Sequence, residues 1–325
     1  MPTQKPSFFF FASQSVDDHL GKTSSFIWAS YAGLRELWWQ VRGFKENFPH
    51  LHISDIEKKF FSGLPLPGGI DLKNICIDTD WTAHELEFSK WLLFDSCTIY
   101  ETWAEKVCSL VFNTNQANKC AKHIQFPNGF DTRGRANGFN LAIQLANQNK
   151  SNFVVTQFFG SLSNGKFNKW HQVQELLIGY RYFKECRNSY IHSDGKITID
   201  ILNAHTNFKQ VLIMNPNLLR GSFVLPSNSI GEKIQLEIKD IILFTKIIKA
   251  LIATFDAALC VSINCESLLA SRLSSLVTSN IKWQNLPTDR LKREQRIHRM
   301  LSTLKIPEPV NITQVENWMI AKGII

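Results

Sequence analysis

The stretch YFKECRNSYIHSDGK, residues 182–196, places Arg187, Asn188 and His192 close together and then breaks at Ser193-Asp194-Gly195. An arginine is charged at every physiological pH and can grip two phosphate oxygens at once. A histidine exchanges protons near neutral pH. The chemistry that such a pair could perform is metal-free scission of RNA. The 2′-hydroxyl loses a proton, the charge of the phosphorane is stabilised, and the departing 5′-oxygen is protonated, leaving a 2′,3′-cyclic phosphate and a 5′-hydroxyl. The same residues also suit a plain helix end. Arginine near a C-terminus answers the helix dipole and caps carbonyls, asparagine stops helices, and a histidine can sit half-buried with its ring satisfied.

Spacing alone does not decide between these. With twelve arginines and nine histidines in 325 residues, an arginine followed four to six positions later by a histidine arises about once by chance. The chain contains its own control, Arg293-Glu-Gln-Arg-Ile-His298. Context separates the two. Arg187 is followed by Asn188 at the end of an aromatic amphipathic stretch, whereas Arg293 is followed by a glutamate within a run of mixed charge.

The elements that must position the motif are mostly helices. Ile27, Tyr31, Leu34, Trp38 and Val41 recur at helical steps within 24–46. Residues 80–112 read as a long helix with Asp80 as its N-cap, a broad apolar face from Leu86 through Trp91 and Phe94 to Leu110, and Glu101 as a charge between Tyr100 and Trp103. Residues 113–136 read as a polar loop, 138–149 as a short helix, and Ser161–Gly165 as a turn. Asn168 is the expected N-cap of a helix carrying Trp170, Val173, Leu177, Tyr180 and Phe183 on one stripe. After Gly195, KITIDI, GSFVL and KIQLEI alternate and predict short strands. Helical periodicity returns over 239–262, and a last short helix has Thr313 and Glu316 spaced as a capping box.

ECRNSYIHSDG resembles the R-N-x-x-x-H signature of the HEPN superfamily, helical-bundle proteins that include RNA-cutting toxins and phage-defence effectors. The resemblance spans residues 80–262 through the motif and the order of helices around it. It implies a mainly α fold, a HEPN-like bundle over 76–262 with a small β element after the motif helix. This lies between an N-terminal helical extension, 1–75, and a basic helical segment, 263–325. It implies that Arg187, Asn188 and His192 are catalytic, with Glu101 as the acidic residue that supports them from an earlier helix. No metal or other cofactor is expected. On a continuous helix, residues five apart diverge by about 140°, so Arg187 and His192 do not converge on one phosphate, while Asn188 and His192 share a face. The family's arrangement, a homodimer with a composite cleft, answers this; a local break at the helix end would answer it too.

The net charge of +8 permits an anionic partner. Lys292, Arg293, Arg296 and Arg299 in LKREQRIHRM, and Arg133 and Arg135 in TRGRANG, are the candidate contacts to RNA phosphates; the bland reading of the first group is a solvated helix face. Seven cysteines without a CxxC pair suit a reducing cytosol. The stretch Ile241–Val261 carries Lys246, Lys249 and Asp256 and reads as a buried helix, not a membrane span. The expectation is a cytoplasmic endoribonuclease acting in growth arrest or phage defence, held in check by an antitoxin or other regulatory partner. Two rivals are a non-catalytic HEPN-like module that binds a nucleotide or RNA or assembles a complex, and a helical interaction protein using Phe8–Phe11 and Trp38-Trp39 as anchors.

Overall fold

The computed structural model describes residues 8–61, 71–126, 131–132, 135–218, 225, 229–279, 281–284 and 286–325; for Phe61, Ile281 and Lys282 it describes the backbone only. Over these the chain is mainly helical: α1 Phe11–Asn47, α2 Ile53–Phe61, a π-helical turn Lys73–Asp78, α3 Trp81–Val111, α4 Thr114–Gln125 and α5 Asn140–Gln148. Then come α6 Asn152–Val154, running through a π-helical turn into α7 Gly160–Ser163, a 3₁₀ turn Trp170–Gln172, α8 Val173–His192 and α9 Ile199–Met214. The chain continues through α10 Ile238–Leu259, α11 Ile263–Ser279, α12 Ile281–Gln284, α13 Arg290–Thr303 and α14 Ile312–Ala321.

The apolar pattern explains the layering. α10 is buried around most of its circumference, from Ile241 through Phe244, Ile247, Leu251 and Phe255 to Leu259, as a helix apolar on all sides must be. It packs against α3 and α8. Aromatic rings tie the three together: Tyr100 of α3 meets Tyr180 of α8 at 4.6 Å between centroids, and Phe183 of α8 stacks on Phe244 of α10 at 4.6 Å. Gly179 leaves room for a close approach of α9 and α10. A Cβ there would lie 2.9 Å from the Phe208 ring of α9 and 3.0 Å from Ile247 of α10.

The N-terminal phenylalanines are core residues, apart from Phe11, which is exposed. The backbone N–H groups of Phe9 and Phe10 donate to the buried Asp256 carboxylate of α10, at 2.6 and 3.1 Å. Arg272 of α11 donates to the carbonyls of Phe9 and Leu304, which locks this segment against the C-terminal helices. The main apolar cluster accordingly draws on residues from Phe8 to Ile324, on both sides of positions 75 and 262. A smaller cluster gathers Trp38, Val41, Ile56, Leu72 and Cys76. All seven cysteines are free and buried. Among the described residues no helix is long and apolar enough to cross a membrane.

Several local expectations are corrected. Residues 114–125 form α4 where a loop is expected: Asn113 caps it by accepting from Gln116 N, and Ala117, Cys120, Ala121 and Ile124 supply a narrow apolar stripe. Gly160–Ser163 is helical, with the turn only after it. On α3, Trp91 and Leu110 face outward and Leu92, Leu93, Cys97 and Tyr100 face the core. The run KITIDI is no strand. Thr198 accepts from Ile201 N and starts α9 at Ile199, so one capped helix overrides a short alternation. Among the described residues no β-ladder forms, only isolated bridges such as Lys196 with Lys233; GSFVL, apart from Leu225, lies outside the described residues. Asn168 is not the N-cap of α8, which starts from Gln172; its side chain accepts from Trp170 N just ahead of the 3₁₀ turn. Asn311, not Thr313, caps α14, because its side chain reaches the N–H groups of both Thr313 and Gln314.

Candidate functional site

α8 forms because Val173, Leu176, Leu177, Tyr180, Phe183 and Cys186 bury one continuous stripe. It runs unbroken through His192 and is closed only afterwards. Ser193 N and Gly195 N both donate to Ser189 O, and Asp194 and Gly195 take positive φ values of 53° and 68°. This is the left-handed helix ending that glycine accommodates at least cost. The turn is pinned by Lys233, whose ammonium lies 2.6 Å from the Asp194 carboxylate, and by Tyr190, whose hydroxyl donates to Ile234 O. The break that could have folded His192 back toward Arg187 therefore lies beyond both residues. They remain on one regular helix and diverge by about 140°.

Two ring contacts set α3 antiparallel to α8: Tyr100 with Tyr180, and Phe94 with Tyr190. Glu101 thereby falls beside the middle of the motif turn. Its carboxylate forms an ion pair with Lys184 and stands 3.8 Å from Nη2 of Arg187. Nη1 of Arg187 donates to Asn188 Oδ1 at 3.1 Å. The amide oxygen of Asn188 thus orients the guanidinium, where its shared face with His192 suggests a role toward the imidazole. All three charged side chains are largely but not fully covered, Arg187 keeping 22% of its surface. Burial lowers the pKa of Lys184, and burial pushes the nearby Cys97 thiol up to about 12, so it stays protonated. His192 is exposed on the last turn of α8 and makes no hydrogen bond or ion pair among the described residues.

The structure therefore brings Arg187, Asn188 and Glu101 together and leaves His192 apart, open to solvent. Lys184 joins the group without having been singled out from the sequence; its place three residues before Arg187, on the same helix face, was the available signal. The arrangement can hold one anionic oxygen group against a cation whose direction is fixed by a carboxylate and an amide, and it offers a proton-exchanging ring to whatever lies alongside.

The other candidates are dispersed. Arg293 is a structural clamp: its Nε donates to Glu316 at 2.7 Å and its Nη1 to Thr288 O at 2.6 Å, joining α13 to α14. That accounts for the second Arg-to-His spacing without chemistry. Lys292 and Arg299 are exposed on α13, and Arg296 is half-buried there. Arg135 pairs with Asp131 at 2.7 Å, and Arg133 lies outside the described residues. His84 bonds the carbonyl of Ile75 and belongs to the fold. Among the described residues no three His, Cys, Asp or Glu side chains gather in a way that could hold a metal ion.

A comparison with protein-family models, with curated proteins and with solved structures finds no match.

Proposed function

We propose that this chain is a metal-independent endoribonuclease of HEPN type, with Arg187, Asn188 and His192 as its reacting set and Glu101 as its support. The observation that carries the reading is the contrast along α8. Arg187 is held in one direction by Asn188 and Glu101, while the ring of His192, five residues on, is exposed and has no partner among the described residues.

In this reading Arg187 meets the two non-bridging oxygens of the scissile phosphate and gains strength as charge builds on the phosphorane. His192 takes the 2′-hydroxyl proton and then delivers a proton to the departing 5′-oxygen. Because the two side chains point apart on an unbroken helix, each phosphate meets the arginine of one copy and the histidine of another, in a homodimer with α8 at its centre. Ile191 of α8 and Trp91 of α3 are exposed and supply apolar material for that contact. RNA is the substrate, growth arrest or phage defence the setting, and an antitoxin-like partner the restraint; Lys292 and Arg299 supply further phosphate contacts.

The test is RNA cleavage by purified protein in EDTA, with wild type beside Arg187→Ala and His192→Ala. Cleavage that persists in EDTA, leaves 2′,3′-cyclic phosphate ends and vanishes in both variants supports the reading. Equal cutting by both variants overturns it. Binding by wild type without cutting moves the assignment to a module that uses Arg187 for affinity alone. For the interaction-protein alternative, Phe8, Phe9, Phe10 and Trp38 are buried within the fold, while Phe11 and Trp39 are exposed.

A further inference from the structure

Between the first half of α8 and α9 runs a groove of about 510 Å³. Its lining is unusual for its amides. Asn203, Asn207 and Gln210 follow one another at helical steps along α9, and Gln174 faces them from α8. The three on α9 are exposed, and none of the four makes a hydrogen bond among the described residues. Side-chain amides carry both a donor pair and an acceptor, so the groove offers several such sets in a row. At its margin Arg181 lies over the ring of Phe126 at 4.6 Å, which fixes the plane of its guanidinium.

The α8 wall of the groove ends at Arg181, and the same flank of the helix runs on to the motif. Gln174, Ile178 and Arg181 of its α8 wall, then Glu185, Asn188 and His192, succeed one another at steps of four, three, four, three and four. Residues so spaced share one flank of a helix. A ligand lying in the groove would be led along about 27 Å of α8 to the exposed imidazole.

From this we infer that the α8/α9 groove binds the bases of unpaired RNA next to the cut phosphate and favours adenine. The inference rests on the ribonuclease reading of the motif and adds its substrate class. The walls carry the carboxylates of Glu175 and Asp200 as well as the arginines, so the groove is no phosphate channel. Amides beside carboxylates suit base edges, which present donors and acceptors together, and asparagine and glutamine pair in two-pronged fashion with adenine. Bases are open to such contacts only in single strands, loops and bulges.

The experiment measures binding of the full-length protein to 2′-O-methyl oligonucleotides, which cannot be cut by this route: an adenine octamer, a uracil octamer and a duplex. The variant is Asn203→Ala/Asn207→Ala/Gln210→Ala, three solvent-facing changes on one helix. The expected result is that wild type prefers the adenine strand at least tenfold over uracil and over duplex. The triple variant loses that preference while its circular dichroism and melting stay unchanged, and Arg187→Ala keeps it. Equal binding of adenine and uracil by wild type, no binding at all, or a preference unchanged in the triple variant overturns the inference. The two ideas fail separately. RNA cutting with the base preference intact in the triple variant sinks the groove and leaves the nuclease; an adenine preference that needs the three amides, in a protein that cuts nothing, sinks the nuclease and leaves the groove.

Discussion

The carboxylate of Glu101, on α3, stands 3.8 Å from the guanidinium of Arg187, on α8, with Lys184 paired to the same carboxylate. One acid thus balances two cations that share a face of α8. Removing its charge leaves Lys184 and Arg187 repelling each other under partial burial. Glu101→Gln is expected to lower RNA cleavage about tenfold, the worth of roughly 1.4 kcal/mol in the barrier. Because the group is partly exposed, its loss of stability is about 1 kcal/mol or less. Initial cleavage rates beside a thermal melt check this; a melt that collapses with the activity would make Glu101 a folding residue only.

Arg187 and His192 can be separated between copies. If each working cleft takes its arginine from one protomer and its histidine from the other, Arg187→Ala and His192→Ala complement each other. Two separately inactive variants, mixed in equal amounts and allowed to exchange, form mixed pairs in half the dimers, and each mixed pair keeps one intact cleft of its two. Cleavage should return to about a quarter of wild type by the symmetry of a two-fold dimer. Mixtures that stay inactive after exchange place both residues in one protomer's site.

Gly179 of α8 lies directly against Phe208 of α9 and Ile247 of α10. Gly179→Ala pushes a methyl carbon to within 3.0 Å of Phe208 and Ile247, both packed rings or branches in the core. Overpacking of this kind costs about 1–3 kcal/mol, and here it outweighs the gain in helix propensity from replacing glycine. Urea unfolding should show a lower midpoint with an unchanged slope.

Asp256 gives the fold a pH dependence. Burial raises its pKa from the usual 3.8 to about 7, against the pull of the N–H groups of Phe9 and Phe10 and the Ser13 hydroxyl. The folded state therefore holds a proton that the unfolded chain has released. Its stabilising contribution is complete below pH 3.8 and is lost as pH rises through 7. Between pH 5 and 7 this one group should lower unfolding free energy by about 1.4 kcal/mol per pH unit. Urea midpoints across that range measure the slope, and Asp256→Asn should remove this component of it.

The long apolar helices were legible from the chain alone. α8 and α10 announce themselves through stripes such as Val173, Leu177, Tyr180 and Phe183, where burial and periodicity agree. α4 was hidden because its stripe is built from Ala117, Cys120 and Ala121, small residues that barely disturb a polar run. α9 was hidden because Ile197, Ile199 and Ile201 alternate, and only the Thr198 cap decides for helix. Losing α9 also hid Asn203, Asn207 and Gln210 as a row. Glu101 stood out as a charge among aromatics, but its distance to Arg187 depends on how α3 and α8 align, which Tyr100, Phe94 and their partners settle across 80 and 96 positions of separation. Asn188 turning to Arg187 and away from His192 is likewise a rotamer choice that spacing does not encode.

The seat of Phe9 and Phe10 on Asp256 has a consequence for how the molecule comes into being. These contacts span 247 and 246 positions, and Arg272 and Leu304 close over the same place. A ribosome makes the phenylalanines early and their acceptor late. Until α10 and α11 have emerged, residues 8–10 are sticky, unseated chain, and the core that backs α3 and α8 is incomplete. For a helical protein this is an unusually long wait, since contacts distant in sequence form slowly and exposed apolar segments invite association in the meantime. The helix carrying Arg187 and His192 is therefore fully braced only after α10 and α11 have been made.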